Sequence, residues 1–381
     1  MASADSPAPI RPDDPRWFST PKVQMLRVQA TPACNLNCSY CYIPASVRRQ
    51  TSLMPMPVLE TLLRRLADED LLEERLAVSW HGAEPLMAGL AWYEEASARL
   101  DAILGRGIEI AQVFQTNGVL IDDAWCEYLI RHGAQIGVSL DGSEQQDTAR
   151  VNWGGRPAHR LAMRGVEKLN RHGIAWALLA VVTHDTMRDP DAFIAFVRST
   201  GCSVLGFKVE ETNVAHQSKL DGLADIERLY AEFVRALWRA FPADGPIRVR
   251  EFEGYRGARV SGFPVQAVPV TLIPLRNLTV AANGDFTIFA GELLFRDDNH
   301  FAFGNVMEGP LLDCLATPRF RAMTAQMLAG ARRCADSCEY YADCGSFYIS
   351  QKHAETGSFD AGETLACRLE IKTFFRALDT M

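Results

Sequence analysis

Two kinds of hydrophobic pattern alternate along the first two thirds of the chain. Short apolar segments rich in β-branched residues predict strands at residues 23–28, 76–80, 108–114, 135–140, 175–182 and 203–209. Between them, apolar residues recur three or four positions apart and predict helices at residues 57–72, 90–104, 122–132, 159–172, 190–200 and 224–241. This part of the chain therefore predicts six strand–helix units.

Strands joined by single helices form parallel sheets, because each helix has to carry the chain back across the sheet in a right-handed crossover. Six such units predict an α/β fold with a partial (β/α)6 TIM-like barrel over residues 23–241. In folds of this kind, functional side chains gather at the carboxyl ends of the strands.

The two ends of the chain differ from this part in amino-acid composition and hydrophobic pattern. Residues 1–22 are rich in proline and small polar residues and predict a flexible arm. After residue 242, glycine and proline become frequent, and short strands are expected at residues 247–252, 278–281 and 285–289. A small C-terminal α+β domain is therefore predicted over residues 242–381.

Composition excludes several classes of protein. The 381 residues are 48% hydrophobic and 23% charged, which is typical of globular proteins. A net charge of −8 without a lysine or arginine block argues against nucleic acid as a partner. No apolar segment has the length of a membrane helix or the form of a secretion signal, so we expect no membrane partner and a cytoplasmic protein. Ten cysteines then favour metal ligation, because the cytosol keeps thiols reduced.

Three cysteines follow the first predicted strand within eight residues: Cys34, Cys38 and Cys41. Thiolates on one loop at the end of a strand can converge on a single metal centre. Structural zinc takes four protein ligands, and no fourth Cys or His follows nearby. In a [4Fe-4S] cluster, three protein ligands leave one iron open to a substrate or cofactor. The loop therefore favours such a cluster, with zinc as the alternative.

The spacing Cys-x3-Cys-x2-Cys, with Tyr40 just before the last cysteine, resembles the signature of radical S-adenosylmethionine (SAM) enzymes. The resemblance implies that SAM binds the open iron and is cleaved reductively to a 5′-deoxyadenosyl radical, with Tyr40 beside the adenine. It also implies a low-potential electron donor such as flavodoxin or ferredoxin.

Further motifs appear in the order that this family predicts. Residues 81–86 read His-Gly-Ala-Glu-Pro-Leu and are similar to the family's Gly-Gly-Glu-Pro motif, which receives the SAM ammonium group. The resemblance implies SAM contacts from Gly82, Ala83, Glu84 and Pro85. It also implies contacts from the next two strand ends and beyond, at Asn117, Ser139 and Arg150. Arg160 is the alternative to Arg150 as the partner of the SAM carboxylate.

A second group of cysteines lies near the C-terminus, at Cys334, Cys338, Cys344 and Cys367. Four thiolates complete the ligand set of either an iron–sulfur cluster or zinc. Beside a radical SAM core, the pattern resembles the SPASM/twitch iron–sulfur extension and implies an auxiliary [4Fe-4S] cluster. Full SPASM domains hold two auxiliary clusters, but residues 283–294 contain no cysteine and position 348 is tyrosine, so one is predicted.

Segments within residues 270–370 are similar to radical SAM/SPASM maturases that install cyclophane crosslinks in ribosomally made peptides. This resemblance implies hydrogen abstraction from a side-chain Cβ of a precursor peptide, followed by C–C bond formation to an aromatic ring. The alternatives are formylglycine formation as in sulfatase maturases, thioether formation, and a non-enzymatic zinc-binding scaffold. Candidate bases for rearomatisation are Glu210, Glu211 and Glu292, and the sequence does not choose the catalytic residue among them.

Overall fold

The computed structural model describes residues 22–105, 107–213, 215–261, 272–289, 291, 294, 300–346 and 349–381, without the side chains of residues 260 and 261. The predicted arm, residues 1–22, lies outside this description except for Lys22. Lys22 fixes the approach to the first strand, because its Nζ donates to the carbonyl oxygen of Asp70 at 2.6 Å.

The described residues form one sheet of ten strands, in the order β10-β9-β8-β1-β2-β3-β4-β5-β6-β7. The strands are β1 (Met25–Val28), β2 (Arg75–Trp80), β3 (Glu109–Thr116), β4 (Gln135–Ser139), β5 (Ala177–Val182), β6 (Val204–Val209), β7 (Arg248–Val249), β8 (Asn277–Val280), β9 (Asp285–Thr287) and β10 (Gly304–Asn305). Strands β1 to β7 are parallel neighbours in chain order. The six predicted strands and the α/β class are confirmed, and the sheet is not a closed barrel.

Helices connect the parallel strands and continue through the C-terminal region. They are α1 (Ala45–Arg48), α2 (Met56–Asp68), α3 (Leu90–Leu104), α4 (Asp123–His132), α5 (His159–Arg171), α6 (His184–Arg188), α7 (Pro190–Thr200), α8 (Ile226–Ala240), α9 (Arg250–Ser261), α10 (Pro318–Ser337), α11 (Tyr341–Cys344), α12 (Ile349–Thr356), α13 (Leu365–Cys367) and α14 (Phe374–Asp379). A π-helical turn, Arg368–Thr373, joins the last two. No helix within the described ranges is long and apolar enough to cross a membrane.

The two faces of the sheet have different surroundings. Side chains alternate between the faces along each strand, so in β1 Leu26 and Val28 are fully buried while Met25 and Arg27 are partly exposed. Arg27 lines a large cavity on its side of the sheet. One face therefore builds the hydrophobic core, and the other borders a space that can receive a ligand.

Residues 247–252, predicted as a strand, form only the short β7 before α9 begins. Phe252 gives the physical reason, because its ring packs against Trp238 and Phe374 at centroid distances of 5.0 and 5.9 Å. Tertiary burial of that ring outweighs the local alternation of apolar and polar residues. Two carboxylates in the first turn, on Glu251 and Glu253, further favour a helix start.

The C-terminal region is joined to the core through strand pairing. Strand β8 lies parallel to β1, with Arg27 opposite Thr279, and β9 and β10 continue antiparallel from it. The sheet therefore runs across the domain boundary that the sequence predicts at residues 241 and 242. This pairing places β8 directly beside β1, the strand that precedes the first cysteine loop.

A close backbone approach fixes the turn after β3. A Cβ atom on Gly165 in α5 would lie 2.1 Å from the carbonyl oxygen of Gly118. Gly118 itself has a φ of +82°, and its own Cβ would meet Cγ1 of Val138 at 2.8 Å. Only glycine fits at these two positions, and the turn that they allow carries Asn117, one of the predicted SAM contacts.

We predict that Gly165→Ala lowers the free energy of unfolding by about 2 kcal/mol, because α5 must move away from the turn to accommodate the methyl group. Gly254→Ala in α9 is the matched control, since a Cβ there has no neighbour within 4 Å. It should be neutral or stabilising by about 0.5–1 kcal/mol. Urea unfolding followed by circular dichroism measures both changes, and a Gly165→Ala protein as stable as wild type would contradict the close approach.

Candidate functional site

The first cysteine loop lies at the carboxyl edge of the sheet, between β1 and α1. It carries the three predicted ligands, Cys34, Cys38 and Cys41, all partly exposed. Two backbone hydrogen bonds tie it to the segment beyond β4: Asn37 N–H donates to Val151 at 2.7 Å and Ser39 N–H donates to Ala149 at 3.0 Å. The three thiols therefore stand on a loop that is anchored at its centre.

Arg48 and Trp153 fix the position of this loop through hydrogen bonds. Neither residue belongs to a motif that the sequence analysis identified. The buried Arg48 guanidinium donates to three acceptors of the loop, the carbonyl oxygens of Leu36 and Ile43 and Oδ1 of Asn37, at 2.9–3.0 Å. It also lies over the Trp153 ring, 5.2 Å from the centroid. The indole N–H of Trp153 donates to the Cys34 carbonyl at 2.8 Å.

Burial makes these thiols weak acids. It raises the pKa of Cys34 to about 12 and that of Cys38 to about 11, the latter against the opposing charge of Arg150. Burial also raises the pKa of Cys41. Since the thiolate is the form that ligates metal, a cationic metal centre would stabilise the charges that the protein alone disfavours.

Tyr40, predicted to lie beside the SAM adenine, links the cysteine loop to the end of β4. Its hydroxyl donates to Oδ2 of Asp141 at 2.6 Å, and Oδ1 of Asp141 accepts from Val181 N–H at 2.9 Å. Burial and the negative charge of Asp147 raise the pKa of Asp141 to about 7, against the effects of Arg150 and these hydrogen bonds. The position of Tyr40 is therefore fixed, and its contact with adenine stays a prediction.

The turn after β2 has an unusual backbone. Gly82 and Ala83 both have positive φ values, 93° and 65°, and Pro85 then begins a short 3-10 turn, Pro85–Ala88. Ala83 adopts a left-handed conformation that an L-residue with a Cβ reaches at a cost of about 1–2 kcal/mol. This turn delivers Glu84 into the interior, where it is 1% exposed.

The Glu84 carboxylate crosslinks the ends of β2 and β3. It accepts hydrogen bonds from the Leu86 N–H at 3.0 Å, the Thr116 hydroxyl at 2.6 Å and the Asn117 N–H at 2.7 Å. Burial raises its pKa, and these donors together with Arg150 oppose the shift. Glu84 therefore organises the strand ends, and its contact with the SAM ammonium stays a prediction.

Asn117 and Arg150 come together beside the cysteine loop. The Asn117 side chain donates from Nδ2 to Oδ1 of Asn35 at 2.6 Å, and its carbonyl accepts from Arg150 Nη2 at 3.2 Å. Arg150 is 3% exposed, and its Nε lies 3.5 Å from Oδ1 of Asp147. The predicted residues from two different strand ends thus contact one another and the loop.

The structure separates the two arginine alternatives. Arg160 lies on the surface, paired with Glu144 at 2.7 Å, whereas Arg150 is buried near the cysteines. Ser139 at the end of β4 is partly buried, and its hydroxyl accepts from Nε2 of Gln115 at 2.9 Å. Binding of SAM by Arg150 and Ser139 stays a prediction, and the burial of Arg150 favours it over the exposed Arg160.

The four C-terminal cysteines line one small cavity. Cys334 is on α10, Cys338 follows that helix, Cys344 is on α11 and Cys367 is on α13. Burial raises the pKa of Cys367 to about 12, and the nearby Cys344 adds to the shift. The four predicted ligands of the auxiliary cluster therefore come together from separate helices.

The spacing of these donors also bears on what they hold. In the part of the chain that the structure describes, no group of three or more His, Cys, Asp and Glu side chains is arranged to hold a single metal ion. A tetrahedral zinc site requires sulfurs about 2.3 Å from one point. Four thiolates complete the ligand set of either a [4Fe-4S] cluster or zinc, so an auxiliary cluster at this cavity stays a prediction.

A larger cavity, of about 650 Å³, lies between the inner face of the sheet and the C-terminal helices. Arg27 and Lys208 line it from the strands, and Arg250 and Tyr255 line it from α9. Ile371, in the π-helical turn after Cys367, lines both this cavity and the four-cysteine cavity. The two cavities are therefore neighbours, and the Ile371 side chain forms part of the wall of each.

The candidate bases fall in different places. Glu211 accepts from Lys208 Nζ and from Gln351 Nε2, both at 3.0 Å, and so connects β6 to α12. Glu210 is 4% exposed, and its Oε1 lies 2.7 Å from Nε2 of His216. Glu292 is outside the described residues. These contacts do not single out a catalytic base.

Comparison with known proteins gives the following matches. Residues 28–197 match the model of the Radical SAM superfamily. The chain is 30% identical over 358 residues to an uncharacterised protein of Synechocystis sp., covering 91% of this chain and 89% of that protein. It is 37% identical over 179 residues to the serine-type anaerobic sulfatase-maturating enzyme of Klebsiella aerogenes. That second match covers 46% of this chain and 44% of the relative, less than half of either.

Solved structures share the fold. A structure of anSMEcpe with bound AdoMet has a TM-score of 0.75 and 20% identity, covering 94% of this chain and 97% of that chain. Streptococcus suis SuiB, bound to the precursor peptide SuiA, has a TM-score of 0.58 and 16% identity, covering 91% of this chain and 76% of that chain. At these identities, the likeness establishes a common architecture.

We predict that Arg48→Ala loosens the cysteine loop, because three hydrogen bonds from a charged donor are lost. Amide hydrogen exchange of residues 34–41 should accelerate about tenfold or more. Arg49→Ala is the matched control, since Arg49 also lies over Trp153, at 4.6 Å, but is exposed. Equal exchange rates in the two variants would contradict the anchoring role of Arg48.

Proposed function

We propose that this chain, a radical SAM enzyme related to the radical SAM/SPASM peptide maturases, modifies a ribosomally synthesised precursor peptide. The proposed modification is a crosslink between side chains of that peptide. The observation that carries this proposal is the cavity of about 650 Å³ against the inner face of the sheet. A volume of this size is that of a ligand site, and the lining combines the charged groups of Arg27 and Lys208 with the aromatic ring of Tyr255, which suits a few side chains of a peptide. Because the family is one of enzymes, we set aside the alternative that the chain is a non-enzymatic zinc-binding scaffold.

Membership of this superfamily implies a [4Fe-4S] cluster and SAM. The cluster would be held by Cys34, Cys38 and Cys41, and SAM would be surrounded by Tyr40, Gly82, Ala83, Glu84, Pro85, Asn117, Ser139 and Arg150. When bound, these groups supply a 5′-deoxyadenosyl radical, using an electron from a donor such as flavodoxin or ferredoxin. The protein's own contribution is placement, because the hydrogen bonds of Glu84 and Asn117 fix the strand ends around a largely buried site.

The bond that we propose is a C–C bond between a side-chain Cβ, from which a hydrogen atom is abstracted, and an aromatic ring of the same peptide. The resulting adduct has to lose one proton and one electron to regain its aromaticity. An electron acceptor is therefore needed at the wall of the peptide cavity. Ile371 forms part of that wall and also borders the four-cysteine cavity.

We assign one auxiliary [4Fe-4S] cluster to Cys334, Cys338, Cys344 and Cys367. The four thiols line one cavity, and four thiolates are the ligand set that such a cluster takes. In this proposal the auxiliary cluster accepts the electron that leaves the adduct. The pairing of β8 with β1, which attaches the C-terminal region to the core, supports a fixed distance for the transfer.

Formylglycine formation is the second candidate function. The 37% identity to a serine-type sulfatase-maturating enzyme over 179 residues favours it. In this chain, however, residues 283–294 contain no cysteine and position 348 is tyrosine, so the ligands expected for another auxiliary cluster are missing. Thioether formation would require a peptide cysteine and is the third outcome to test.

Iron and sulfide analysis tests the two clusters. We expect about eight irons per anaerobically reconstituted chain, since each [4Fe-4S] cluster contains four. The Cys34/Cys38/Cys41→Ala variant should keep about four, and so should the Cys334/Cys338/Cys344/Cys367→Ala variant. If wild type held about four irons and the first variant lost none of them, Cys34, Cys38 and Cys41 would not be the ligands of a cluster.

Product analysis tests the bond. The enzyme is incubated with SAM, dithionite and short aromatic-containing peptides encoded beside its gene. A crosslink should remove two hydrogens from the peptide without producing an aldehyde or consuming a thiol. A hydrazide-reactive aldehyde would instead establish formylglycine formation, and loss of one free thiol would establish a thioether.

A further inference from the structure

A lysine side chain lies inside the four-cysteine cavity. Lys352 on α12 lines that cavity and is only 4% exposed. Its Nζ donates to the Gly330 carbonyl at 3.0 Å, to the Ser346 hydroxyl at 2.6 Å and to Sγ of Cys334 at 3.3 Å. An ammonium group has three N–H donors, so all three are used and the charge has one fixed position.

The hydrogen-bond partners of Lys352 do not neutralise its charge, because a carbonyl, a hydroxyl and a thiol are neutral acceptors. The nearby carboxylate of Asp360 interacts with Lys352 electrostatically, but its direct partner is Arg333. Burying a charge without a direct counter-charge is costly. Four thiolates around a cubane core would provide that counter-charge, because such an assembly carries net negative charge.

We infer that Lys352 is a positioning residue of the auxiliary cluster whose fixed positive charge raises the cluster's reduction potential. One-electron reduction adds a further negative charge to the assembly, and a cation bonded to one ligand sulfur stabilises the reduced form. Net charge, hydrogen bonds to the sulfurs and solvent exposure are the properties through which proteins set such potentials. The inference rests on the proposed auxiliary cluster and names the residue that makes it a better electron acceptor.

The test measures the midpoint potential of the auxiliary cluster by EPR-monitored redox titration. The full chain carries Cys34/Cys38/Cys41→Ala throughout, so that only the auxiliary cluster contributes. Lys352→Met removes both the charge and its hydrogen bonds, whereas Lys352→Gln removes the charge but keeps an N–H donor. Iron content is measured for each variant.

Lys372→Met is the matched control. Lys372 also lies near the cluster ligands Cys338 and Cys367, but it is more exposed and pairs with Glu363. Removing it changes the net charge of the protein by the same amount, in a place where solvent and a carboxylate already screen that charge.

For both Lys352 variants we expect the ratio of oxidised to reduced cluster at a fixed applied potential to rise at least tenfold, which is 59 mV for a one-electron couple. Lys372→Met should change this ratio less than threefold. An iron-loaded Lys352 variant with a smaller rise than tenfold overturns the inference. Loss of iron from both Lys352 variants also overturns it, because the lysine is then needed only to assemble the site. Absence of iron from the background protein would instead refute the proposed auxiliary cluster itself.

Discussion

The buried carboxylate of Glu84 is the interaction on which the site depends. A carboxylate removed from water is costly unless donors surround it, and here three donors from the ends of β2 and β3 do so. One of them is the backbone of Asn117, whose side chain reaches Asn35 in the cysteine loop and whose carbonyl holds Arg150. A single buried carboxyl group thus links two strand ends, the cysteine loop and a buried arginine.

Attachment of the C-terminal region to the sheet determines the second half of the arrangement. Strand β8 extends the sheet beside β1, and Glu370 accepts from the Val209 N–H of β6 at 2.6 Å, three residues beyond Cys367. These contacts hold the four-cysteine cavity close to the inner face of the sheet. The cavity on the inner face of the sheet therefore borders the four-cysteine cavity, and Ile371 lines both.

The sequence pattern predicts the features that are local and periodic. The six parallel strands follow from alternating strand and helix patterns, and the two cysteine groups follow from their spacing. Arg48, Trp153 and Lys352 escape such reasoning because each acts through contacts made only in the folded chain, for example between Trp153 and Cys34. The strand predicted at residues 247–252 fails for the same reason, since distant aromatic rings determine its conformation.

The most direct test of the radical SAM site is the EPR spectrum of the reduced, anaerobically reconstituted protein before and after addition of SAM. Because three cysteines leave one iron open, we expect SAM to bind that iron and change the spectrum. The Cys34/Cys38/Cys41→Ala variant should show only the auxiliary cluster, unaffected by SAM. A wild-type spectrum that does not respond to SAM would contradict the assignment of this loop as the site where SAM is bound and cleaved.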